Sequence, residues 1–230
     1  MAAMPKQSSE AAAPPLAHFL REAGALFDLH WRSLLPPRLE RAERKDHRVV
    51  VIPGFLAGDH STLLMRRALD AAGYDVEGWD LGVNWGARGD LLDRLEERLT
   101  RTASSPATLV GWSLGGVYAR ELAKRAPARV ARVITLGSPF SGDLRANNAW
   151  RLYELLNDHK VDAPPIEVTL GTKPPVPTVA IWSRQDGIVA PASARGEPHE
   201  SDLCIEVQCS HMGFMTAPCA LEAVLEQMKG

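Results

Sequence analysis

The sequence predicts an α/β fold, a mainly parallel sheet of about six strands flanked by helices. Three observations predict it. Short apolar runs recur along most of the chain, stretches of helical periodicity separate them, and the turns that carry reactive side chains each follow an apolar run. Strand, helix, strand repeated in this way implies right-handed crossovers and a sheet covered on both faces, with reactive groups in the loops beyond the strands' carboxyl ends.

Taken in order, residues 1–15 are rich in Ala, Pro and Ser and lack the basic start, apolar stretch and cleavage site of a secretory signal. They are expected to form a flexible tail on a cytoplasmic protein. Leu16, Phe19, Leu20, Ala23, Phe27, His30, Trp31 and Leu34 then recur at spacings of three and four, one stripe of an amphipathic helix that ends before Pro36 and Pro37. Such a stripe must be covered, by its own domain or else by a homodimer contact, a substrate-entrance flap or a membrane surface. A charged stretch from Arg38 to Lys45 reads as a solvated connector. Strands are expected at Val49 to Pro53, Tyr74 to Trp79, Ala107 to Trp112, Val130 to Leu136, Thr178 to Trp182 and Leu203 to Val207. The helical patterns between and after them cover Ser61 to Ala72, Asp90 to Thr102, Leu114 to Arg125, Arg145 to His159 and Ala217 to Met228.

A chain of 230 residues suits one domain, about 46–230, with the N-terminal helix and connector of 16–45 as an addition. With 26 basic against 28 acidic residues, the formal charge is −2, so there is no concentration of positive charge to attract nucleic acid. Apolar runs are interrupted too early to make a transmembrane helix. The three cysteines, Cys204, Cys209 and Cys219, are odd in number and have no zinc-like spacing. They are expected to be reduced thiols, and no metal or organic cofactor is called for.

The strongest chemical signal is Gly111-Trp112-Ser113-Leu114-Gly115-Gly116, between the apolar run Leu109-Val110 and the helical pattern that begins at Leu114. A serine nucleophile on a sharp strand-to-helix turn needs small flanking residues, because the backbone there is strained and neighbouring elements are close. A glycine-rich turn with a capping serine is the alternative reading. Serine is a poor nucleophile at its own pKa and needs a base, which in turn needs an orienting acid. Asp186 follows the run Val179 to Trp182, and His211 follows the run Leu203 to Val207, so Ser, Asp and His occur in the order of a nucleophile-elbow triad. Each partner alone would more often be a turn or helix-start residue. Asp80, also beyond a strand, is a rival acid disfavoured by its place before Ser113. His60 reads as a polar residue at a helix start beside Asp59. Ile52-Pro53-Gly54-Phe55-Leu56-Ala57-Gly58 follows the first strong strand, and the amides of Phe55 and Leu114 are the expected oxyanion hole. The glycines do not have dinucleotide-loop spacing, and no Gly-Lys-Ser/Thr follows them.

With elbow, acid, histidine and oxyanion loop in this order, the stretch Arg48 to Met228 resembles the α/β-hydrolases, specifically a bacterial esterase- and lipase-like group. The strings at 51–58, 111–116, 136–140 and 183–189 carry the resemblance. It implies a serine carboxylic-ester hydrolase that forms an acyl-enzyme on short to medium acyl esters, a small-molecule ester being the partner. Acyl transfer through the same triad, hydrolysis of longer lipids or polyesters, and a non-catalytic binding protein are the alternatives. Relatives insert a lid where this chain has about 141–176, too short for a large cap. That segment offers one helix, whose Trp150 and Tyr153, together with Leu56, are the expected substrate contacts. One departure concerns the oxyanion loop. Many lipases have His-Gly where this chain has Pro53-Gly54, so a histidine brace for that loop is missing.

Overall fold

The computed structural model describes residues 13–15, 17–19, 22, 42–102, 105–143, 145 and 147–229. Of the proposed N-terminal stripe only Phe19 falls within them. Leu16, Leu20, Ala23, Phe27, His30, Trp31 and Leu34 lie outside the described residues.

Six strands form one sheet: β1 (Arg48–Ile52), β2 (Asp75–Gly78), β3 (Ala107–Trp112), β4 (Val130–Leu136), β5 (Thr178–Trp182) and β6 (Leu203–Glu206). Their order is β2-β1-β3-β4-β5-β6, and every neighbouring pair is parallel. The helices are α1 (Leu63–Ala71), α2 (Leu91–Thr102), α3 (Leu114–Arg125), α4 (Trp150–Leu156), α5 (Pro191–Arg195) and α6 (Pro218–Gln227). Short 3-10 turns occur at Pro127–Arg129 and Met212–Met215.

The central strands β1, β3, β4 and β5 are apolar almost throughout because both of their faces are covered. Alternate residues go to opposite cores. Val49, Val51, Val110, Trp112, Ile134, Leu136, Val179 and Ile181 pack with Met65 and Leu69 of α1 and with Ala220 and Val224 of α6. Val50, Ile52, Leu109 and Val133 pack with Leu95 and Leu99 of α2 and with Tyr118 and Leu122 of α3. Burial of one such side chain contributes about 1.5–3 kcal/mol, so this two-sided core makes the sheet a firm platform for the loops at its carboxyl edge. The strand order reverses direction between β1 and β3. The loops after these two strands therefore leave in opposite directions and open a crevice at that edge.

Two local differences from the sequence reading have physical causes. The helical pattern from Arg145 to His159 yields only the seven residues of α4. Before it, Asn147 accepts a hydrogen bond from the Ala149 amide and pairs with Val189, while the Asn148 amide donates to the Ile188 carbonyl. After it, Asn157 leaves the helix with extended backbone and its side-chain amide donates to the Tyr153 carbonyl. Asparagine competes with the helix for backbone partners at both ends. Helix α5, unanticipated from the sequence, begins at Pro191, whose ring is suited to a first helical position.

Candidate active site

Ser113 sits between β3 and α3 with φ of 54° and ψ of −125°, a strained left-handed turn for a residue with a side chain. Close packing holds it there. A Cβ on Gly115 would stand 2.4 Å from the Ile52 carbonyl oxygen, and one on Gly111 would stand 2.4 Å from Gly116 Cα. The glycines of the elbow are thus required by the approach of β1 and by the turn itself. The Ser113 amide donates to the Leu136 carbonyl, fixing the elbow to the end of β4.

Asp186 lies in the loop after β5 and is 1% exposed. One carboxylate oxygen, Oδ1, accepts the amides of Ile188 and Val189, both at 2.8 Å. The other, Oδ2, is 2.8 Å from His211 Nδ1. With Nδ1 occupied by the carboxylate, the imidazole keeps Nε2 for proton transfer. His211 is itself 2% exposed. Burial alone would lower its pKa, but the charge and hydrogen bond of Asp186, joined by the charge of Glu22, outweigh that and hold it above the ordinary imidazole value. Trp112 Nε1 donates to the His211 carbonyl at 3.1 Å, and the two rings are 5.7 Å apart.

Ser113, Asp186 and His211 are therefore all tied to the surroundings of the end of β4. Ser113 is bonded to Leu136, and the next residue, Gly137, has no Cβ that would come within 3.0 Å of Asp186 Oδ2. Trp112, the neighbour of Ser113, carries the histidine loop. Ser113 Oγ has no hydrogen-bond partner among the described residues, so it makes no hydrogen bond to His211 here. Such contacts commonly tighten only when substrate is bound.

The loop after β1, expected from the sequence to supply an oxyanion hole, is held by a residue that the sequence reading overlooked. Asn84, buried in the loop after β2, donates its side-chain amide to the Pro53 carbonyl at 2.9 Å. Its backbone accepts from the Leu56 amide at 2.7 Å and donates to the Ala57 carbonyl at 2.8 Å. Asn84 thus braces the loop from a different strand, where a histidine at position 53 would have done so from within. Asp59 adds a second tie by accepting the amides of Trp79 and Asp80. Leu56 absorbs the turn with φ of 59°. Among the described residues the Phe55 amide has no acceptor, and the amide of Leu114, first in α3, has none within its helix. The two residues line one cavity with Ser113.

That cavity has about 50 Å³ of water-accessible space. Pro139, Trp150, Tyr153, Val161 and Ile188 complete its mainly apolar wall. Tyr153 is anchored by the Ala87 amide at 3.1 Å and by His159 Nε2 at 2.9 Å, and its ring lies 5.1 Å from that of Phe55. Trp150 and Tyr153 are on the wall, whereas Leu56 is not part of it and is 39% exposed. The rival acid Asp80 is spent on an ion pair with Arg98. A roomier cleft of about 390 Å³ lies along α2 and α3, but its Glu121 and Lys124 are paired with each other. Among the described residues no cluster of His, Cys, Asp or Glu could hold a metal ion. Nor is any described helix long and apolar enough to cross a membrane.

Carboxylesterase CesB from Bacillus subtilis superposes on this chain with a TM-score of 0.55 at 15% identity, covering 92% of this chain and 97% of that one. The chain has the α/β-hydrolase fold. No family model matches the sequence. Among curated relatives of this chain, the biotin biosynthesis bifunctional protein BioHC of Teredinibacter turnerae is 30% identical over 109 residues, 47% of this chain and 15% of that one. A pimeloyl-acyl-carrier-protein methyl ester esterase of Aromatoleum aromaticum is 38% identical over 63 residues, 27% of this chain and 25% of that one. The chain thus spans a quarter or less of the length of these two relatives.

Proposed function

We infer that this α/β-hydrolase is a serine hydrolase of carboxylic esters, with Ser113 as nucleophile, His211 as base and Asp186 as the acid that orients it. The observation that carries the reading is the buried 2.8 Å contact between His211 Nδ1 and Asp186 Oδ2. Around the same end of β4 stands a serine in strained backbone at a helix start. The ester-hydrolysing relatives support the same chemistry.

In this reading His211 Nε2 takes the Ser113 proton as Oγ bonds to the ester carbonyl carbon, and Asp186 stabilises the imidazolium. The amides of Phe55 and Leu114 hold the oxyanion, each donor contributing about 3 kcal/mol to the transition state. The carbon–alkoxy bond then breaks, and the alcohol departs with the proton from His211. Water, deprotonated by the same imidazole, attacks the acyl-enzyme, and the acid leaves as Ser113 regains its proton. Residues 46–230 make the catalytic domain, with about 141–176 as its lid. About 50 Å³ is small beside the roughly 300–1,000 Å³ of drug-sized ligand pockets, which favours the short end of the acyl range.

The test is hydrolysis of p-nitrophenyl esters of graded acyl length, with Ser113→Ala as control. Turnover should peak at short acyl groups and fall by about 10³-fold or more in the variant. A loss of only severalfold would assign the chemistry to another residue.

A further inference from the structure

Outside the hydrolase domain, one side chain is tied into the site. Glu22, in the N-terminal segment, is 3% exposed. Its carboxylate accepts three backbone amides: Gly187 at 3.0 Å and His211 at 2.7 Å on Oε1, and Met212 at 3.0 Å on Oε2. Gly187 follows the acid and Met212 follows the base, so one carboxylate grips both triad loops across sequence separations of 165 to 190 residues. The segment around it is seated against the same loop. A Cβ on Gly187 would stand 2.4 Å from the His18 carbonyl oxygen, and Asn148 Nδ2 reaches both the Pro14 carbonyl at 3.2 Å and the Gly187 carbonyl at 2.7 Å.

We propose that Glu22 is a positioning residue of the active site: it locks the Asp186 and His211 loops in register and places a fixed negative charge beside the imidazole. The proposal rests on the serine-hydrolase reading above. Charge-assisted hydrogen bonds from amides to a buried carboxylate are about twice as strong as neutral ones, and each removes a degree of play from the loop that donates it. A base held within a few tenths of an ångström of its working place matters, since a 1 Å misplacement can cost about 10²-fold in rate. Among the described residues, the titratable groups around this cluster include Asp186 on the loop after β5, Glu22, His18, whose backbone packs against Gly187, and Cys209 on the histidine loop, whose thiol burial pushes up. Trp112 and Phe214 flank the imidazole with neutral rings. Glu22 thus adds to Asp186 in favouring the imidazolium that forms when Ser113 is deprotonated.

The experiment compares full-length wild type, Glu22→Gln, Glu22→Asp and Ser113→Ala on one short-chain p-nitrophenyl ester, with kcat and KM separated and kcat/KM followed against pH. For Glu22→Gln, kcat should fall about tenfold or more with KM within twofold, and the acid limb should move to lower pH because a charge that favours imidazolium has gone. Glu22→Asp, which keeps the charge, should retain the wild-type limb and recover part of kcat. Wild-type kcat and an unmoved limb in a folded Glu22→Gln protein would overturn the proposal, while a dead Ser113→Ala control leaves the hydrolase reading intact. Should Ser113→Ala retain activity, the hydrolase reading falls instead. The His211 pKa, followed by NMR, then decides Glu22's effect on the imidazole without any assay, a fall in Glu22→Gln supporting the proposal and no change overturning it. Should Glu22→Gln fail to fold, hydrogen exchange in wild type decides. Slow exchange of the Gly187, His211 and Met212 amides supports the tie, and exchange at the rate of open loops overturns it.

Discussion

Asp186 divides its two oxygens between tasks, one bound to the amides of its own loop and the other to the imidazole. That division keeps the carboxylate from rotating and leaves the other histidine nitrogen, Nε2, clear of it. In the proposed mechanism, the pH dependence of activity follows from the same contact. His211 works as a base only when neutral, and Asp186 and Glu22 hold its pKa above the ordinary imidazole value despite burial. The free enzyme therefore stays protonated, and inactive, to a higher pH than an isolated histidine would. The acid limb of kcat/KM should have its midpoint above about 6.5, with activity lost as pH falls through it. A midpoint below that value in wild type would mean that desolvation outweighs the two carboxylates. At this scale Ser113, Asp186 and His211 could be picked out as candidates because each stands just beyond an apolar run in a recognisable order. Glu22 and Asn84 were not, since an acidic residue in a helical pattern and an asparagine between glycines are too common to mark a site. Their roles arise from partners far along the chain: Glu22 meets loops 165 to 190 residues away, and Asn84 meets Pro53 at a separation of 31.

Helix α4 shows how an element can be legible in kind and not in extent. Its apolar spacing marked a helix, and Trp150 and Tyr153 indeed line the cavity at Ser113. Its ends were set by Asn147, which accepts the Ala149 amide, by Asn157, which donates back to the Tyr153 carbonyl, and by Asn148, whose amide reaches the Gly187 carbonyl in a loop that no local pattern reveals. Because the first residue of so short a helix closes one wall of the acyl cavity, its bulk should control acyl length. Replacing Trp150 with Ala should move the preferred ester two or more carbons longer and raise KM for the shortest substrate by severalfold, read from the same ester series. An unchanged length profile would put the acyl group elsewhere. Removing Tyr153 is a less clean probe, since its hydroxyl also holds the Ala87 amide and meets His159.

Across the whole molecule, the parallel sheet of six strands flanked by helices was the part that elementary rules fixed best, while its strand order is read from the structure. Alternating apolar runs and helices leave few topologies, and the reversal of strand order between β1 and β3 places a crevice where the oxyanion loop and the elbow depart. The need for glycine at the elbow could be anticipated because it follows from the sharp turn and the adjoining strand, whereas the brace from the loop after β2 and the tie from the N-terminal segment depend on tertiary encounters. The central claim concerns one hydroxyl made nucleophilic by a partner remote in sequence. Labelling the folded protein with a fluorophosphonate and mapping the adduct by mass spectrometry tests it most directly. Wild type should carry a single adduct on Ser113, formed at a rate that drops by about 10³-fold or more in His211→Ala. An adduct on another residue, or equal labelling of Ser113 without the histidine, would contradict the account.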